Sequence, residues 1–211
     1  GILQFGAVFS NCGFMGYPLM LAMLGSIGVF YGSAYVVVFT VLAWTAGIYM
    51  VTHDAGKLSW KHILLNPGVL SVAAAMALYL LSVQLPEIVM TPLNYLANMN
   101  TPLPTIVVGY QLSHANFGQA FADRRSWTAL VLRLLVFPLL SIALCYALRV
   151  DSAVALVTVI AACTPPAALL SMFAQKFGSD TRLSSSMVSV FTAISVLTIP
   201  PVVGLAQYLM G

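Results

Sequence analysis

Ala161-Ala162-Cys163-Thr164-Pro165-Pro166-Ala167-Ala168-Leu169-Leu170-Ser171 places two adjacent prolines inside an apolar run. The run begins near Val154 and continues to Phe173, long enough to cross a bilayer as one helix. A proline removes a backbone donor and clashes with the carbonyl four residues back, costing about 3 kcal/mol in a helix interior. Two in succession predict a helix that breaks where lipid offers the backbone no hydrogen bonds. Such a break is tolerated only where it lines a cavity or is buried in protein.

Composition decides the solvent. Of 211 residues 61% are hydrophobic and only 6% charged, with a mean hydropathy of +0.99. Soluble domains carry about 25% charged residues, so eight basic and five acidic side chains cannot cover a soluble surface. The chain reads as an all-α integral membrane protein with the lipid bilayer as its solvent. The net charge of +3 is no argument for nucleic acid. Cys12, Cys145 and Cys163 are widely spaced in apolar runs and read as small buried hydrophobes. The first residue is not Met and already lies in an apolar run, with no signal peptide before it. The expectation is an N-terminally incomplete protein.

Seven runs suffice for transmembrane helices, near 3–24, 28–52, 63–84, 89–114, 127–148, 152–176 and 183–209. Turn and charge signals separate them. Lys57, Lys61, Arg124, Arg125, Arg133, Lys176 and Arg182 fall on the even connections or next to them, and Arg149 alone on the odd ones. The even connections are expected to be cytoplasmic and the C-terminus outside.

Val38-Phe39-Thr40 recurs as Val190-Phe191-Thr192 at an offset of 152, and Gly25 recurs near Gly178 at 153. Each copy follows a run carrying a helix-breaking proline, Pro18 in the first and Pro165-Pro166 in the sixth. A shift of five helices reverses orientation, so the pattern predicts an inverted repeat, the architecture of many secondary transporters. Residues 1–52 would end the first repeat, 53–62 form a short cytoplasmic loop, and 63–211 make up the complete second repeat. In such carriers two broken helices cross near the midplane. Their half-helix ends offer N–H groups to an anion and carbonyls to a cation. The first run has suitable equipment: Asn11 as donor and acceptor, Gly13 and Gly16 for close backbone approach, and Pro18 to interrupt the helix. Cys163, Thr164, Pro165 and Pro166 supply the other break.

These stretches resemble a known family. "NCGFMGYPL" at 11–19, "PTIVVGYQL" at 104–112, "RLLVFPLL" at 133–140 and "TPPAALLSMFAQKFGSD" at 164–180 are similar, in order, to motifs of helices four, seven, eight and nine of the auxin efflux carrier family. That family includes plant auxin carriers and bacterial permeases for malate, malonate and related acids. The resemblance covers essentially the whole chain. It implies ten helices in two inverted five-helix halves, a bile-acid/sodium symporter-like fold, with this chain starting at the fourth helix. It implies that Asn11 touches a substrate carboxylate, that Pro18 is the helix-four crossover proline and that Pro165 is the first helix-nine proline. Pro166 stands where plant members have glutamine and Leu170 where they have a second proline. These departures favour a small carboxylate over auxin.

Gln111 either faces the cavity or bonds a neighbouring helix. Arg133 either snorkels to the cytoplasmic face or serves as counter-charge for an anion. His114 is read as an interfacial histidine, with proton coupling as the other role. Tyr17, Tyr31 and Tyr35 read as interface or packing aromatics. The five carboxylates fall in loops or at helix ends, so no acid–base pair lies within the membrane. No metal-ligand spacing, P-loop or GxSxG motif occurs. The expectation is therefore no enzyme, cofactor or metal, but a secondary carrier of small organic anions, malate- or malonate-like or auxin-like, in the cell membrane, of bacterial inner-membrane type. A coupled H+ or Na+ and a homodimer are its other expected partners. The alternative is a non-transporting membrane subunit or sensor that keeps the carrier fold.

Overall fold

The computed structural model of the chain describes residues 1–54, 67–99, 102–113 and 124–210, with Leu65 and Gly118. Lys57, Lys61, His114, most of the 53–62 connection and the side chain of Gln111 lie outside the described residues.

The described elements are helical. They are α1 (Ile2–Val8), a π-helical turn Cys12–Gly16, α2 (Tyr17–Leu42), a second π turn Ala43–Gly47, α3 (Ile48–Thr52), α4 (Pro67–Leu80), α5 (Glu87–Asn98), α6 (Pro102–Ser113), α7 (Arg124–Val131), a third π turn Leu132–Val136, α8 (Phe137–Ala147), α9 (Ser152–Cys163), α10 (Leu169–Phe177) and α11 (Thr181–Met210). Among the described residues three continuous stretches are long and apolar enough to span a membrane: Cys12–Thr52, Arg124–Ala147 and Thr181–Met210. The protein is an all-α membrane protein. The expected fourth run, 89–114, is two helices of 12 residues.

The Cys12–Thr52 stretch doubles back on itself. Gly25 has φ +62° and ψ −145°, a conformation open in practice only to glycine. The Tyr17 hydroxyl donates to Ser33 Oγ at 3.2 Å, a contact that a straight helix of that length could not make. Gly28 lies where an added Cβ would come within 2.5 Å of the Met20 carbonyl oxygen. The first two runs therefore form a tight helical hairpin.

Two π turns have a common local cause. Cys12–Gly16 is followed by Tyr17-Pro18, and Leu132–Val136 by Phe137-Pro138. The proline ring pushes away the carbonyl four residues back and donates no hydrogen bond. Widening the preceding turn by one residue relieves both problems. Pro18 thus continues a helix, and the structure corrects its expected role: the interruption comes earlier, at 9–11. There Phe9 is extended (φ −93°, ψ 115°) and Asn11 is non-helical (φ −82°, ψ 47°).

The second break follows expectation in position. α9 spans only 12 residues, about 18 Å at 1.5 Å per residue, too short for a bilayer core of about 30 Å. Asp151 caps its start, its Oδ1 accepting from the amides of Ala153 at 3.0 Å and Val154 at 3.4 Å. Its residues are apolar on every side, and eight are buried, as befits a helix enclosed by others. Ala155, Ala161 and Ala162 let neighbouring backbones approach closely. After residues 164–168 the chain resumes as α10 and turns at Gly178 (φ +70°) into α11.

The halves pack in a crossed manner. Phe5 and Phe9 stack with ring centroids 4.6 Å apart, and Phe5 meets Phe173 of α10 edge-on at 5.8 Å. Cys12, Met20 and the α9 residues Leu156, Val159, Ile160 and Cys163 share a different cluster with Val202 and Ala206 of α11. So α1 lies with α10, and the half after the first break lies with α9.

Candidate functional site

Where the two breaks meet, the backbones pair. Ser10 and Pro166 form an isolated antiparallel bridge. The Ala167 amide donates to the Phe9 carbonyl at 2.9 Å, and the Asn11 amide donates to the Pro165 carbonyl at 2.7 Å. The bonds flank the bridge, and neither needs an N–H from Pro165 or Pro166. Two prolines can therefore occupy one side of the bridge without leaving it short of a donor. Extended backbone in an apolar span is satisfied here by its counterpart in the other span.

A break leaves one helix C-terminus and one N-terminus. At the C-terminal ends the free carbonyls converge on Arg133. Its Nε donates to the Thr164 carbonyl at 3.0 Å. Nη1 donates to the carbonyls of Val8 at 2.9 Å and Ala7 at 3.3 Å, and Nη2 donates to that of Ala162. Arg133 is 3% exposed. Snorkelling to a membrane face is thereby overturned: in the third π turn, about ten residues into a 24-residue helix, the side chain turns inward to the crossing. The sequence did hold a signal. Arg133 precedes Pro138 by the same five residues that separate Gly13 from Pro18, so both lie in a proline-induced π turn.

At the N-terminal end of the first break the first amides of the Cys12–Gly16 turn have no intrahelical acceptor, whereas at the start of α10 the amides of Leu170 and Ser171 donate to the carbonyls of Ala167 at 3.0 Å and Ala168 at 3.2 Å. Asn11 stands beside the first set. It is 4% exposed, and its Nδ2 has no hydrogen-bond partner. Among the described residues, nothing lies within 4 Å of a Cβ built on Gly13. Gly16 is buried in ordinary contact with Met20 and Cys12. The Cys163 thiol donates to the Ile160 carbonyl at 3.2 Å, and the Thr164 hydroxyl to that of Ala161 at 2.9 Å. Both side chains serve the end of α9. Ser10, 2% exposed, belongs to the crossing although its sequence gave no hint of it. Tyr35, read from sequence as a packing aromatic, has its hydroxyl beside Ser10.

Cavities flank the crossing. One of about 400 Å³ lies against the half after the first break, lined by Phe14, Met15, Pro18, Leu19, Ala22, Val196, Ile199 and Pro200. Pro18 is therefore a wall of an apolar groove. Another, of about 370 Å³, lies against the half before the break and is more polar, with Gln4, Arg125 and Thr128 among its walls. Among the described residues no group of three or more His, Cys, Asp or Glu could hold a metal.

Comparison with known proteins gives the family. Residues 51–203, well over half of the chain, match a family model described as "Membrane transport protein". An "Uncharacterized transporter" of Methanothermobacter thermautotrophicus is 28% identical over 205 residues, 94% of this chain. The chain spans 65% of that relative's length. No solved structure matches. Together with the motifs at 11–19, 104–112, 133–140 and 164–180, this match shows that the chain belongs to the membrane transport protein family of auxin efflux carrier type.

Proposed function

We propose that the protein is a secondary carrier of small organic anions, malate- or malonate-like or auxin-like, that binds the substrate carboxylate at the crossing of the two broken helices. The observation that carries this reading is the Asn11 Nδ2 donor, buried and unpaired beside a helix N-terminus. A buried donor without an acceptor is costly in a resting protein. It becomes favourable when an anion fills the site, where amides and helix dipoles add their own attraction. Asn11, Gly13 and the opposed start of α10 would hold the carboxylate. Gln111 is proposed to approach from α6.

The two antiparallel breaks fit an inverted repeat, with 1–52 ending one half and 63–211 forming the other. Rocking of the crossed helices between the two flanking cavities would expose the site to either side in turn. The driving force would be the membrane potential or a coupled H+ or Na+, and the location a cell membrane of bacterial inner-membrane type.

The test is uptake of radiolabelled malate, malonate and indole acetate into liposomes by the full-length protein, wild type against Asn11→Ala. One hydrogen bond to a charged group contributes about 1.5–3 kcal/mol, so the variant should lose about 10- to 100-fold in apparent affinity. Equal uptake by both proteins would refute a site at Asn11. No uptake of any acid by the wild type would favour a non-transporting subunit or sensor.

A further inference from the structure

We propose that the converging carbonyls form a monovalent-cation cage, and that the chain fills it permanently with its own guanidinium. Arg133 would then be a tethered cation at the place where a crossed-helix carrier otherwise holds a free one.

The cage is built from oxygen alone. The carbonyls of Ala7 and Val8 at the end of α1, and of Ala162 and Thr164 at the end of α9, all accept from Arg133. Rings of neutral carbonyls are the surroundings in which proteins hold unhydrated monovalent cations. The charges also balance. Each helix C-terminus carries about half a unit of negative charge, so two amount to about one, against the single positive charge of the guanidinium. Among the described residues the acidic ones are Asp54, Glu87, Asp151 and Asp180, all in loops or at helix ends. Among the described residues every printed hydrogen bond of Arg133 goes to a backbone carbonyl and none to a carboxylate. A buried, charged arginine without an acid partner is held by dipoles, as a bound metal ion would be.

Two consequences follow. The wild type needs neither Na+ nor K+ at the crossing. Emptying the cage creates a cation site that was not accessible before. The inference concerns the same crossing as the proposed anion site. It is read by stability without substrate, so its failure is distinguishable from failure of the transport reading.

The experiment is thermal unfolding of the full-length protein in detergent, with choline, sodium, potassium or guanidinium chloride at equal, non-denaturing concentration. The wild type is expected to melt at the same temperature in choline and in the alkali salts. A rise of several degrees in Na+ or K+ would overturn the proposal. Arg133→Ala is expected to melt lower in choline and to recover with guanidinium, Na+ or K+. Lack of recovery with all three would overturn it. Should Arg133→Ala not fold, Arg133→Lys decides. Its ammonium keeps a cation in the cage with fewer donors, so it should melt below the wild type and gain nothing from Na+. Stabilisation of that variant by Na+ would count against the proposal.

Discussion

Replacing Asn11 by leucine separates a ligand-binding residue from a structural one. The two side chains share one branched skeleton of four heavy atoms, with leucine the bulkier, so the substitution leaves no cavity. Asn11 is 4% exposed with Nδ2 unpartnered, and burying such a donor costs about 1–3 kcal/mol. Leucine removes that donor. The backbone bond from the Asn11 amide to Pro165 does not depend on the side chain. Asn11→Leu should therefore be as stable as the wild type or more stable, by up to about 2 kcal/mol, while anion uptake falls about 10- to 100-fold. The assay is melting in detergent beside uptake in liposomes, from the same preparation. A variant that loses more than about 1 kcal/mol would show that the amide is satisfied within the fold. The argument that it waits for a ligand would then be wrong.

Other perturbations test the scaffold. In Gly28→Ala the new Cβ would meet backbone atoms of Met20 at 2.5 Å and 3.1 Å, which no side-chain shift relieves. The hairpin should lose about 2–3 kcal/mol by overpacking, measured as a lower melting temperature against Gly204→Ala, whose Cβ meets nothing within 4 Å. Asp151→Ala deletes the cap that receives the amides of Ala153 and Val154. It should lower stability by about 1 kcal/mol, read in the same melting experiment, with uptake unchanged.

The membrane class was legible because composition alone decides it, and the double proline located the second break within a residue or two. The first break was not legible in the same way. Pro18 looked like the breaker, but a π turn can absorb a proline by widening one turn, and no single-residue signal distinguishes absorption from rupture. The helix breaks at 9–11 because the backbones of Phe9 and Asn11 pair with Ala167 and Pro165 far along the chain. Such pairing is a tertiary property. The sequence left Arg133 with two readings for a related reason. From sequence, an arginine near a span end should reach for water. Which way it turns depends on the register shift of the Leu132–Val136 turn and on carbonyls contributed by α1 and α9.

The charge layout at the crossing bears on what the protein transports. Any broken helix leaves a negative end and a positive end, so two crossed breaks leave two of each. The chain answers the two negative ends itself, with Arg133 on the carbonyls of Ala7, Val8, Ala162 and Thr164. It supplies nothing of opposite charge for the two positive ends. Among the described residues the carboxylates sit in loops and at helix ends, and the Asn11 side-chain Nδ2 adds a further unpaired donor. Under the proposed function, a fold that neutralises one polarity with a permanent residue and leaves the other open beside the unpartnered Asn11 Nδ2 would be completed by a separate negative group. This asymmetry favours an anion over a neutral or cationic solute, and it follows from the placement of the two breaks and one arginine.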